Sequence, residues 1–169
     1  FTSGLAEVEI QFAVNKIKDM FVLSPVYTLK DIIDYVILNN YHTLIDCGSK
    51  FIGYTTNTVA NMIVQSVLDN NNDFIKYVVF LNEKDIPYAL DLEYNLIQYN
   101  SLTADLYNMF YYYDQGHITG IDFKIFPQAK GLVTISPFNR FRDIAQGIFR
   151  LRKINKGQTV DFIINNNFE

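Results

Sequence analysis

The stretch TLIDCG, residues 43–48, is a short apolar run that ends in Asp, Cys and Gly. YVVFLN (77–82) and AKGLVTIS (129–136) have the same form, with successive apolar residues followed by polar ones. Unbroken apolar runs are typical of strands that are buried on both faces, as in parallel sheets. Segments with helical periodicity lie between these runs, so the chain from residue 43 onward predicts an α/β fold with helices on both faces of a parallel sheet.

Three segments have that helical periodicity: TLKDIIDYVILNN (28–40), NTVANMIVQSVLDN (57–70) and NRFRDIAQGIFRLRK (139–153). Thr28, Asn57 and Asn139 are their predicted N-caps, because short polar side chains accept hydrogen bonds from the first N–H groups of a helix. Asp31, three residues after Thr28, completes a pattern close to a capping box.

The remaining segments have patterns of several different kinds. LAEVEIQFAVNKIKDM (5–20) has an apolar stripe and predicts a helix that forms an N-terminal pair with 28–40. We therefore expect residues 1–40 to be a helical segment that packs on a domain formed by 41–169. MFYYYD (109–114) and QTVDFIIN (158–165) are predicted strands, TADLYNMF (103–110) has partly helical character, and IPYALDLEYNLIQYN (86–100) fits either element.

Composition limits the classes of function. The 169 residues amount to one domain and carry a net charge of −4, which argues against nucleic-acid binding by the whole surface. One Cys excludes an internal disulfide framework and fits a reducing compartment, so we expect a cytoplasmic or nuclear, intracellular protein. Neither a membrane-spanning run nor a signal peptide is recognisable, and no membrane partner is expected. The initial Phe suggests a piece of a longer chain.

Polar loops follow three of the predicted strands, at 46–48, 82–85 and 114–122. The carboxyl ends of parallel strands gather functional groups at one edge of a sheet, so these loops are candidates for a shared site. In the third loop, Asp114, His117 and Asp122 have the chemistry of metal ligands or of an acid–base set. With two His in the chain, a dedicated zinc site is not expected. The alternative is a loop whose polar side chains bind backbone donors.

Cys47 is a candidate nucleophile because it follows an apolar strand in an α/β pattern. A thiolate needs an activating base. His42 is too near to Cys47 in the sequence to be judged, and His117 is the other candidate. A buried, inert cysteine is the alternative.

Basic residues are concentrated near the C-terminal end of an otherwise acidic chain: Arg140, Arg142, Arg150, Arg152, Lys153 and Lys156. This concentration indicates a local anion site. Arg150 and Arg152 flank Leu151, so they cannot share one helix face. Neither GxxxxGK[ST] nor GxGxxG occurs, and the chain therefore lacks the usual means of holding a nucleotide by itself.

Two blocks resemble motifs of superfamily 2 helicases. TGIDF (119–123) is similar to motif V, and QGIFRLRK (146–153) is similar to motif VI, with a strand between them and another after them. Over residues 43–164 the resemblance implies the second RecA-like domain of such an enzyme.

The resemblance also implies roles for single residues. Thr119, Gly120 and Asp122 fall on motif V, which contacts the nucleotide. Gln146 and Arg150 fall on motif VI, with Arg152 or Lys153 as its last basic residue, and its arginines stabilise the γ-phosphate as arginine fingers. Phe149 stands in the place of the motif's Gly, and Lys153 in that of an Arg. ATP and Mg²⁺ would bind only together with a first RecA-like domain in the remainder of a larger chain.

Four blocks also resemble the C-terminal region of very large eukaryotic proteins that carry a ubiquitinyl hydrolase label: 44–60, 78–85, 113–124 and 141–159. This likeness includes Asp114 and His117. It implies, as an alternative, a thiol-dependent ubiquitin hydrolase that uses Cys47 and His117. A degenerate domain that only binds a partner is the third hypothesis, and nucleic acid or ubiquitin are the partners left open.

Overall fold

Eight strands form one mostly parallel sheet within residues 20–23, 28–117, 123–136 and 138–165, the part of the chain that the computed structural model describes. In chain order the strands are β1 (Met20–Leu23), β2 (Thr43–Ile45), β3 (Tyr77–Leu81), β4 (Pro87–Asp91), β5 (Leu96–Gln98), β6 (Met109–Tyr113), β7 (Lys130–Ile135) and β8 (Thr159–Asn165). Their order across the sheet is β1-β8-β7-β2-β6-β3-β4-β5. Only β4 runs antiparallel to its neighbours among these strands, so the predicted α/β fold is confirmed.

Helices cover both faces of this sheet, as predicted. In the described ranges they are α1 (Leu29–Leu38), α2 (Thr56–Asp69) and α3 (Phe141–Ile148). α1 and α2 pack together on one face, where their buried residues share a core with Leu44 and Phe110. Ile148 of α3 packs on the other face with Ile45 and Tyr111. Burial on both faces explains why the central strands are largely apolar.

The start of α1 confirms the predicted capping box. Thr28 Oγ1 accepts a hydrogen bond from the Asp31 backbone N–H at 3.2 Å, and Asp31 Oδ2 accepts one from the Thr28 N–H at 2.7 Å. For α2 the predicted cap Asn57 is wrong by two residues. Thr55 is the cap, and its Oγ1 accepts from the Thr58 N–H at 3.1 Å.

Helix α3 is shorter than the predicted helix 139–153. It begins after Arg140 rather than after the predicted cap Asn139, whose side chain instead bonds outside the helix. It ends at Ile148, and Leu151 then turns into the core. Gln146 therefore lies on the helix, but Arg150 does not.

The ambiguous segment 86–100 contains the antiparallel strands β4 and β5. Asp91 organises the turn between them by accepting hydrogen bonds from the backbone N–H groups of Glu93 and Asn95. The partly helical segment 103–110 forms only a single 3₁₀ turn, Leu106–Asn108, before β6.

The predicted N-terminal pair of helices can be compared with the structure only in part. Residues 1–19, which hold most of the predicted first helix, lie outside the described residues. Met20, its predicted last residue, is instead the first residue of β1, which pairs with β8. Helix α1 belongs to the same core as α2 and the sheet. No helix in the described part of the chain is long and apolar enough to cross a bilayer.

Candidate functional site

The polar loops that the sequence singled out emerge at one edge of the sheet. β7, β2, β6 and β3 are adjacent and parallel, so the residues that follow them lie together at what we call the carboxyl edge. Residues 46–48 follow β2, Asn82 follows β3 and Asp114 follows β6. In sheets of this kind, ligands bind along this edge.

The chain proceeds across the sheet in opposite directions from β2 and from β7. The chain leaves β2 through α2 on one face of the sheet and leaves β7 through α3 on the other. Such a switch point opens a crevice between the two loops, which is the expected place for a ligand in an open α/β sheet.

Asp46 fills this crevice from inside. Its side chain is 1% exposed. Oδ1 accepts hydrogen bonds from the Lys50 N–H at 2.8 Å and from Thr134 Oγ1 at 2.7 Å, and Oδ2 accepts from the Phe51 N–H at 3.0 Å. Burial raises the pKa of Asp46, while these hydrogen bonds oppose the rise. The donors that could hold an external anion are therefore directed at a carboxylate of the protein itself.

Further contacts close the crevice. The Gly48 N–H donates to Thr134 Oγ1 at 3.0 Å, and Asn139 Nδ2 donates to the Cys47 carbonyl at 2.8 Å. A Cβ on Gly48 would lie 3.0 Å from the backbone carbon of Ile135, so the two loops pack backbone against backbone. A glycine at position 48 allows this approach.

Cys47 lies at the same place but is 1% exposed. Its Sγ donates to the Asp143 carbonyl at 3.7 Å. Burial raises its pKa to about 12, and the carboxylates of Asp46 and Asp143 add to the effect. At neutral pH the side chain is a thiol, and this is the environment of an inert buried cysteine rather than of a nucleophile.

Open clefts lie beside the crevice, at the start of α2. A cleft of about 370 Å³ is lined by 52–56, Glu83 and Asp114. A neighbouring cleft of about 390 Å³ is lined by 55–57, 82–84, Ile86 and Tyr88. Their lining combines hydroxyl, amide and acidic groups with one basic side chain, that of Lys84. Within the described residues, no cluster of three or more His, Cys, Asp or Glu side chains could hold a metal ion.

The third polar loop is described only in part. Asp114 is half-buried, and Gln115–His117 forms a 3₁₀ turn. The side chain of His117, and the motif V residues Thr119, Gly120 and Asp122, lie outside the described residues.

The basic residues after α3 lie towards the opposite end of the sheet. Leu151 packs near the beginning of β2 and β7, since a Cβ on Gly131 would lie 2.6 Å from Leu151 Cδ1 and 2.9 Å from Thr43 Cγ2. Arg150 beside it is only 8% exposed. Arg152 and Lys153 are exposed, and Gln146 is half-buried on α3. The described backbone does not bring the turn after α3 close to Asp114.

Sequence reasoning included Arg140 and Arg142 among the basic residues but missed the exposed aromatic residues beside them. These residues form the Phe–Arg segment, residues 138–142, which lies after β7 and includes the first two residues of α3. Phe138 is 91% exposed and Phe141 is 53% exposed, and both Arg140 and Arg142 are exposed between and beside them. The available signal was the alternation of aromatic and basic residues in FNRFR.

Comparison with known proteins adds no relative: no family model, no curated protein and no solved structure matches the chain. The fold and the carboxyl edge define an α/β domain whose switch-point crevice is occupied by its own side chains.

Proposed function

We propose that this chain is the second, RecA-like domain of a helicase-like ATPase, and that it supplies basic groups to an ATP site whose phosphate-binding loop and Mg²⁺ belong to a partner domain. One observation carries the proposal. Exposed basic residues follow α3, while the loop after β2 is filled by the Asp46 carboxylate.

The Asp46 carboxylate, which occupies the loop after β2, supports a role in which this domain binds ATP only together with a partner domain. Nucleotide-binding α/β domains hold phosphate with backbone N–H groups of the loop between a strand and the next helix. Here the Lys50 and Phe51 N–H groups donate to Asp46, and a bound phosphate would have to replace a buried carboxylate. We therefore expect the chain alone to bind ATP weakly or not at all.

The exposure of the basic side chains refines their proposed roles. Arg152 and Lys153 are exposed, so they are the groups that reach a γ-phosphate on the partner domain. Arg150, which the resemblance places on motif VI, is only 8% exposed and is less able to reach a partner domain. Gln146 lies four residues before Arg150 in the sequence, which is the spacing of motif VI in the resembled family. The resemblance assigns nucleotide contacts to Thr119, Gly120 and Asp122, which lie outside the described residues.

The test is ATP turnover by the full-length protein. Arg152→Ala should lower kcat by roughly a thousandfold, the effect of removing an arginine that stabilises transferred phosphate. Lys153→Ala should also lower it. Lys76→Ala is the matched control, because it removes an exposed lysine just before β3, and turnover should not change.

Either of two results contradicts the proposal. The first is a wild-type protein without ATP turnover, or one whose turnover survives both substitutions. The second is tight ATP binding by residues 1–169 alone, measured by equilibrium titration with a fluorescent ATP analogue.

A further inference from the structure

The Phe–Arg segment has the reverse of the usual arrangement in a surface turn. Apolar side chains normally turn inward and polar ones outward. Here Phe138 is 91% exposed, while the neighbouring Asn139 points inward and donates to the Cys47 carbonyl at 2.8 Å. Phe141, three residues further on, is 53% exposed, so two aromatic side chains of one short segment face solvent, and aromatic residues are enriched at protein-binding surfaces.

Hydrogen bonds hold the segment in this conformation. Asn139 Oδ1 accepts from the Ser136 N–H at 2.7 Å, and the Phe138 N–H donates to Ser136 Oγ at 3.3 Å. At the start of α3, Asp143 Oδ2 accepts from the Arg140 N–H at 3.2 Å. These hydrogen bonds restrict the backbone of the segment, and such restriction lowers the entropic cost of binding.

The exposed residues match the composition of protein-binding hot spots, which are enriched in aromatic residues and arginine. Arg140 and Arg142 make this surface locally cationic in a chain whose net charge is −4. We propose that the Phe–Arg segment binds an acidic segment of a partner protein, with an apolar side chain against Phe138 and carboxylates paired with Arg140 and Arg142.

The surroundings favour a short acidic peptide over a nucleic acid. A polyanion needs several cations along its path. Glu83 and Asp114 lie along the same edge of the sheet and would repel one. A peptide needs complementary charge only around its anchoring side chain. The inference does not depend on the proposed role in ATP hydrolysis.

Selection from a phage-displayed library of random peptides tests the proposal. We expect enriched sequences in which Asp and Glu flank an apolar residue. Phe138→Ser should weaken their binding about tenfold or more, as loss of a hot-spot anchor does. Arg140→Ala or Arg142→Ala should weaken binding most at low salt, and the loss should shrink as salt rises, because salt already screens the ion pairs of the unchanged protein. Leu38→Ser is the matched control, since Leu38 is 60% exposed on α1 and its loss should leave binding unchanged.

Three outcomes overturn the inference: no enriched acidic sequence, enrichment that Phe138→Ser does not reduce, or equal losses in the Leu38→Ser control. Tight binding of oligothymidylate that depends on Phe138, without acidic-peptide binding, would assign the surface to single-stranded nucleic acid instead. Circular dichroism of each variant separates lost binding from lost folding, and Phe141→Ser provides a second exposed position on the same surface.

Discussion

His42 is buried among three aromatic rings just before β2. Its ring centroid lies 4.8 Å from that of Phe74, 5.0 Å from Phe126 and 5.5 Å from Tyr107. Within the described residues, neither ring nitrogen has a hydrogen-bond partner. Burial lowers the pKa of His42 to about 4, because a charged imidazole would lose its hydration, and the backbone of Tyr107 opposes this shift only in part. Because of His42, the free energy of unfolding therefore depends on pH in the acidic range.

We predict that His42→Phe removes an acid-sensitive part of the stability. Above pH 6.5 the imidazole is neutral in both states. As pH falls from about 6.5 towards 4, the unfolded chain binds a proton that the folded chain does not, and roughly 2–3 kcal/mol of stability is lost. Phe fills the same aromatic environment and cannot titrate. Urea unfolding at pH 7, 5 and 4 measures the difference, and parallel pH profiles for the two proteins would contradict it.

The elements differ in how far local sequence determines them. Apolar runs predicted β2, β3, β6, β7 and β8 to within one or two residues, because strands buried on both faces must be apolar throughout. Two other features depend on distant partners. The segment 86–100 becomes strand because β4 pairs with β3, and α3 ends early because Leu151 enters the core beside Gly131.

The candidate site, like the fold, could be predicted from the sequence only in part. The order of strands and helices placed the polar loops at one edge of a sheet. The sequence could not show that Asp46 uses the donors of its own loop, because Thr134, one of its partners, lies 88 positions away. It also could not show that Phe138 faces solvent, since that orientation follows from the contact between Asn139 and Cys47.

The contact between β7 and the turn after α3 gives a prediction for these elements. Gly131→Ala would place a Cβ within 3 Å of Leu151 Cδ1 and Thr43 Cγ2, and should cost about 1–3 kcal/mol of unfolding free energy. Combining it with Leu151→Ala should cost less than the sum of the single changes, because the shorter side chain removes one clash. Gly53→Ala is the control, since nothing lies within 4 Å of its added Cβ. Additive losses in urea unfolding would exclude this close packing.

Hydrogen bonds to Asp46 connect elements that lead to both faces of the sheet. This carboxylate links the end of β2, the loop that leads to α2 and strand β7, which continues to α3 on the opposite face. Because burial raises its pKa, its contribution to stability is full below its ordinary pKa and declines as pH rises, which is the opposite sign to that of His42.

We predict that Asp46→Ala destabilises the whole domain. It leaves two buried N–H groups and the Thr134 hydroxyl without their acceptor, at a cost of about 3 kcal/mol or more, a large part of the 5–15 kcal/mol that holds a typical domain together. Asp91→Ala is the matched control: that carboxylate also accepts two backbone N–H groups, but in an exposed turn where water can replace it, so about 1 kcal/mol or less should be lost. Urea unfolding gives the totals, and hydrogen exchange should show faster exchange at Lys50 and Phe51 in the Asp46 variant alone. Equal losses in the two variants would mean that the closed crevice between β2 and β7 does not hold the two faces together.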